Sequence, residues 1–202
     1  MNNLIITIGR QFGSGGRYIG KMLAEELKIP FYDKELIDII AEKSGISKQV
    51  VESVDEKANK FFYSLLFAGG ADSMYDLSIN DKIFMLQTEV IKKIADEGSC
   101  VIVGRCADYL LNEKYKLLKL FIYQDMAERK ERAIKYYNIS DEKAENHIMK
   151  IDKRRMAYYN YYTNLKWGHP ENYDLCINSK MGIENAVELI KKYIELYYDK
   201  KL

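Results

Sequence analysis

Leu4-Ile5-Ile6-Thr7-Ile8-Gly9-Arg10-Gln11-Phe12-Gly13-Ser14-Gly15-Gly16-Arg17 joins a nearly continuous β-branched run to a glycine cluster. A short apolar run of this kind suits a strand buried on both faces, so Leu4 to Ile8 reads as an interior strand feeding a tight loop. Ile19, Met22, Leu23 and Leu27 recur at helical spacing up to Pro30, and Phe31-Tyr32-Asp33 reads as a second short strand. The unit is strand, glycine loop, helix, strand.

The alternation continues along the chain. Helices are expected from about Lys34 to Lys43, closed by Gly45, and from about Ser47 to Phe67, with Ala68 to Ser73 as a break and the best candidate for a mobile loop. Ser78-Ile79-Asn80-Asp81 has capping-box form and opens a helix running to Gly98. Strands follow at Cys100 to Val103, Leu117 to Tyr123 and Leu175 to Asn178. Between and after them, helices are expected from Met126 to Tyr137, from a Ser140 cap through Thr163, and from Ile183 to Tyr198. Four or five short strands alternating with helices predict an α/β domain whose parallel sheet carries helices on both faces.

Composition narrows the function classes. At 202 residues the chain reads as one domain, against a soft prior of roughly 150 residues per domain. Its 31 basic and 30 acidic residues leave a net charge of +1, which argues against nucleic acid or an anionic membrane as partner and makes any anion site local. No apolar run approaches a membrane span and no leader pattern opens the chain, so a cytoplasmic protein is expected. Cys100, Cys106 and Cys176 lack metal spacing and read as reduced thiols, and no metal-ligand set is expected.

Ligands of such a sheet bind at the carboxyl ends of its strands. After the first strand, closely spaced Gly13, Gly15 and Gly16 let backbone amides turn toward an anion at the start of a helix. A glycine-rich turn also serves tight packing alone. Arg10 and Arg17 flank the loop, Arg105 follows the third strand, and Asp33 ends the second; Arg105 also suits an ordinary ion pair with Asp108. Arg129 and Arg132, three residues apart beside Glu128 and Glu131, suit a solvated, salt-bridged helix face. Tyr158, Tyr159, Tyr161 and Tyr162 continue from Arg155 and suit either stacking on a base or packing of a long helix.

Ile6-Thr7-Ile8, Gly13-Ser14-Gly15, Lys21 to Leu27, Gly104-Arg105, Phe121-Ile122 before Arg129 and Arg132, and Asn178-Ser179 before Ile183-Glu184 together resemble bacterial cytidylate kinases. Gly13 to Arg17, Phe31 to Glu35, Val101 to Tyr109 and Tyr173 to Asn178 are similar, more closely, to the cytidylate kinase-like branch of the P-loop kinases. The resemblance implies a three-layer α/β/α P-loop kinase with about five parallel strands, a helical acceptor-binding insertion at about 47–85 and a helical lid at about 138–165. It implies ATP and Mg²⁺ as donor and metal, CMP or dCMP as the leading acceptor, and a monomer or homodimer with nucleotide substrates as its partners. Gly13, Ser14, Gly15, Gly16, Arg17, Tyr18, Arg129 and Arg132 would hold the donor. Asp33, Gln87, Arg105 and Asp108 would hold the acceptor. Arg17, Arg105, Arg154 and Arg155 would stabilise charge in transfer, and closure of the lid would bring the last two to the phosphates.

One departure stands out. A phosphate-binding loop of this kind carries a lysine followed by Ser or Thr, and the aligned residues here are Gly16, Arg17 and Tyr18. Either Arg17 replaces the lysine or transfer is weak. The alternative function is therefore a nucleotide-binding regulatory protein with a degenerate loop.

Overall fold

A computed structural model describes residues 3–33, 35–44, 79–111 and 114–198. Five parallel strands form one sheet in the order β2-β3-β1-β4-β5: β1 Leu4–Arg10, β2 Phe31–Tyr32, β3 Cys100–Val103, β4 Lys116–Tyr123 and β5 Leu175–Asn178. Its described helices, in chain order, are α1 Gly16–Leu27, α2 Glu35–Ser44, α3 Ile79–Glu97, α4 Ala107–Leu110, α5 Met126–Tyr137, α6 Asp141–Thr163 and α7 Ile183–Tyr198.

The pleat of β1 explains the layers. Leu4, Ile6 and Ile8 are buried on one face with Ile19 and Leu23 of α1 and Val187, Ile190 and Ile194 of α7. Ile5 is buried on the other face with Ile102, Leu36 and Ile37 of α2, and Ile83, Val90 and Ile91 of α3. Each fully buried isoleucine contributes about 2 kcal/mol of apolar burial, so the central strand is held from both sides. The expected three-layer parallel fold is the observed one.

β3, β5, α5 and α7 fall where the sequence places them. β1 runs two residues farther than read, to Arg10, because its ladder with β4 continues to Arg10 opposite Ile122. Ser140 takes the N-cap position of α6, although its hydroxyl makes no cap hydrogen bond. The four-residue helix α4 was not anticipated, since a stretch that short carries no periodicity. Of the expected insertion at 47–85, only 79–85 is described, as the start of α3; the helix expected at 47–67 and the break at 68–73 lie outside the described residues. No described helix is long and apolar enough to cross a membrane.

Parallel register brings the strand ends to one edge. Ile8 pairs with Val103 and Arg10 with Ile122, so the loops after β1 and β3 leave the sheet side by side. The site lies there.

Candidate active site

The glycine loop follows β1 and ends in α1. Gly13 and Gly15 have φ of +77° and +82°, a left-handed backbone that glycine adopts without steric cost. The Cβ directions at both are filled by protein: a Cβ on Gly13 would lie 2.6 Å from the Arg129 carbonyl oxygen, and one on Gly15 2.7 Å from Ile183 Cδ1. A side chain at Gly15 therefore strikes the packing behind the loop, where α5 and α7 meet it. Buried Ser14 donates its hydroxyl to the Gln11 carbonyl at 2.9 Å and accepts from the Gly16 amide at 3.4 Å, while Ser179 Oγ donates to the Ser14 carbonyl at 2.6 Å. These bonds fix the loop with its helix N-terminus open to the cleft.

That cleft, of about 610 Å³, is lined by the loop, by Arg10, Arg17 and Asp33, by Gly104, Arg105 and Asp108, and by Arg154, Arg155, Tyr158 and Tyr159 of α6. Trp167 and Tyr173, before β5, complete its aromatic wall. Residues 104–106 form three successive left-handed residues, with φ of +77°, +59° and +55°. Two of them are not glycine, a strain of about 1–3 kcal/mol each that places Arg105 at the mouth of the cleft.

The cations are unequally engaged. Arg17 Nε donates to Asp33 Oδ2 at 2.6 Å, and this hydrogen bond raises the pKa of Arg17; its side chain is 43% exposed. Arg10 Nη2 lies 3.5 Å from the other oxygen of Asp33 and is only 15% exposed. Arg155 Nη1 donates to the Arg10 carbonyl at 3.1 Å. Burial, and then the charges of Arg10 and Arg105, push the Arg155 guanidinium down to about 9, against the pull of Asp152. Like charges crowded in a protein wall favour an anion among them.

The long helix α6 is fastened at several points. Asp152 accepts from the Phe12 amide at 2.7 Å and pairs with Arg129 Nη2, and Arg129 Nε donates to the Phe12 carbonyl at 2.7 Å. Farther along, Tyr158 donates to Gln87 Oε1 at 2.6 Å, Tyr159 to Asp108 Oδ2 at 2.7 Å, and Tyr162 to Asp81 Oδ1 at 3.2 Å. Tyr162 follows the packing reading, stacked on Phe84 of α3 at 3.9 Å, whereas Tyr158 and Tyr159 also line the cleft. Arg154 and Arg155, the arginines expected on the lid, line the cleft.

The other expected residues divide. Arg17, Asp33, Arg105, Asp108, Arg154 and Arg155 share the cleft with Gly13, Gly15 and Gly16. Arg129 is buried and its guanidinium is taken up by Phe12 and Asp152, a role the expected neighbours Glu128 and Glu131 do not provide. Tyr18 and Arg132 line a separate hollow of about 280 Å³ behind the loop, with Lys21, Tyr136 and Ile183. Gln87 lies buried on α3 behind Tyr158, and its Nε2 has no hydrogen-bond partner among the described residues. Arg10, which the sequence places beside the loop without a site role, lines the cleft with Tyr173; Asp152 carries no sequence signal for its part, since its partners are 23 and 140 residues away.

No described group of three or more His, Cys, Asp or Glu side chains could hold a metal ion. Asp33 and Asp152, the carboxylates bonded to the loop and its flanks, are already engaged by arginines, and Tyr18 replaces the short hydroxyl of the usual pattern. These residues do not fit a protein-held Mg²⁺.

A model of the cytidylate kinase-like family matches residues 5–181. The crystal structure of an uncharacterized protein from Eubacterium ventriosum is 32% identical, with 95% of this chain and 98% of that one covered and a TM-score of 0.72. Shikimate kinase from Bacteroides thetaiotaomicron (16% identity, 95% and 98% covered, TM-score 0.54) and a sugar kinase from Janibacter (13% identity, 98% and 96% covered, TM-score 0.54) share the fold. No curated protein matches the chain. With five parallel strands in this order, a glycine loop after the central one, and a family match over residues 5–181, the chain belongs to the cytidylate kinase-like family of P-loop kinase fold.

Proposed function

We propose that this protein transfers the γ-phosphoryl group of ATP to a nucleoside monophosphate, with CMP or dCMP as the leading acceptor. Family membership supports a nucleotide or small-molecule kinase, and one observation carries the reading further: Arg10, Arg105 and Arg155 converge with the glycine loop on a single cleft. Phosphoryl transfer asks little of a protein beyond position and charge, and this cleft offers both.

In this reading the amides of Gly13 to Gly16 and the N-terminus of α1 hold the donor phosphates, and Tyr18 and Arg132 border the hollow for the donor base. Arg105 grips the acceptor phosphate from its rigid turn at the end of β3. Asp33, Gln87 and Asp108 orient the acceptor, Gln87 with its buried amide. Arg154 and Arg155 neutralise the phosphoryl group in transfer, with Arg17 beside Asp33.

A second reading has its own observation. Gly16 stands at the lysine position and Arg17 is bound to Asp33, as in a protein that binds nucleotide without transferring phosphate efficiently. ADP release, measured with each nucleoside monophosphate and several small alcohols, separates the two. Release stimulated by one nucleoside monophosphate supports the kinase. Tight ATP binding with no stimulated release across the panel supports the regulatory protein.

A further inference from the structure

We propose that Arg10 is the cation that meets the transferred phosphoryl group, in place of the lysine absent from position 16; this rests on the phosphoryl-transfer reading above. The pattern G-x-x-x-x-G-K-[ST], laid over residues 10–17, puts Arg10 on the first glycine, Gly15 on the second and Gly16 on the lysine. Glycine and cation have exchanged ends of the loop. The two positions are neighbours in space: a Cβ on Gly16 would lie 2.7 Å from Arg10 Cβ and 3.3 Å from its Cγ. The stem of Arg10 therefore occupies the room in which a side chain at 16 would begin.

A second glycine clears the rest of its path. Beyond the stem, the Arg10 guanidinium crosses directly over Gly104, where an added Cβ would collide with Nη1. Nη2 then lies 3.5 Å from Asp33 Oδ1, and the Arg10 carbonyl is held by Arg155. The side chain is thus positioned by Gly16 beneath, Gly104 beside and Asp33 at its tip, and it lines the cleft. Arg17 offers less: it is more exposed, and its Nε is committed to Asp33. Lys21 lies off the cleft, lining the hollow behind the loop, with Glu25 at 3.7 Å.

In the transfer an acceptor phosphate oxygen forms a bond to the γ-phosphorus while the bond from that phosphorus to the β-bridging oxygen breaks. The electron pair leaves with ADP and no proton needs to move. A fork-shaped guanidinium at the mouth of the loop can bind two γ-oxygens at once, which a lysine cannot.

The test titrates the full chain with a non-hydrolysable ATP analogue and measures turnover in parallel. Arg10→Gln keeps the stem over Gly16 and removes the charge; it should weaken analogue binding by about tenfold or more, as loss of a charge-assisted contact does. Arg10→Gly and Gly16→Lys should each bind poorly, whereas the double variant, with cation and glycine exchanged back, should recover most of the loss. Wild-type binding by Arg10→Gln, or a double variant no better than Arg10→Gly, overturns the role of Arg10 and leaves the kinase reading standing. Failure of the wild type itself to bind the analogue overturns both.

Discussion

Arg155 Nη1 donates to the main-chain carbonyl of Arg10 at 3.1 Å, which ties the middle of α6 to the last residue of the central strand. A cation on α6 is thereby held against the start of the glycine loop. If it serves the transferred phosphoryl group, Arg155→Ala should lower kcat by about 10²–10³ with a smaller change in KM. Steady-state kinetics on the acceptor found by the panel check this, and unchanged kcat would assign Arg155 to fastening alone.

Asp152 has a different part. It accepts from the Phe12 amide and pairs with buried Arg129, whose Nε holds the Phe12 carbonyl, so one residue of the loop is gripped at both its amide and its carbonyl. Asp152→Ala leaves a buried guanidinium without its counter-ion and should destabilise the fold by about 3–5 kcal/mol in chemical denaturation. A loss below about 1 kcal/mol would place this pair with ordinary surface contacts.

Arg105 carries a strain that glycine would relieve. Its φ of +59° costs a side-chain-bearing residue about 1 kcal/mol or more. Arg105→Gly should therefore melt at or above the wild-type temperature while losing acceptor binding, and Arg105→Lys should also bind acceptor weakly because it lacks the planar fork. A variant that loses stability and keeps its acceptor KM would contradict the assignment.

Much of this arrangement was legible in sequence because it is local. The β-branched run at Leu4 to Ile8, the left-handed glycines and the stripe of α7 report their own structure through spacing. The cleft's fastenings were not, since each joins residues distant in the chain: Tyr158 to Gln87, Tyr159 to Asp108, Phe12 to Asp152. Arg129 illustrates the difference. Its near neighbours suggest a solvated ion-paired face, and only the packing of α5 against the loop shows it buried at 4% exposure. The exchange of Arg10 and Gly16 was hidden similarly, because a motif read in one dimension does not show that its two ends touch.

Asp108 supplies a pH dependence. Burial raises its carboxyl above the ordinary range, against the Tyr159 hydrogen bond, so the folded chain holds this proton more tightly than the unfolded chain. The group's contribution to stability is full below about pH 4, the ordinary carboxylate value, and is lost as pH rises through its folded value. Asp108→Asn abolishes that titration and still accepts from Tyr159. Its melting temperature relative to wild type should therefore be higher at about pH 7 than at about pH 3.5. An equal difference at both would show that the Asp108 carboxyl does not titrate differently in the folded and unfolded chains.

If this cleft moves a phosphoryl group between nucleotides, the group itself can be followed. Purified protein is incubated with γ-labelled ATP, Mg²⁺ and each nucleoside monophosphate in turn, and the products are separated. Transfer puts label in one nucleoside diphosphate, CDP or dCDP first, at a rate well above that with water as acceptor. Bound ATP with label found only in ATP or in free phosphate, for every nucleoside monophosphate offered, would contradict it.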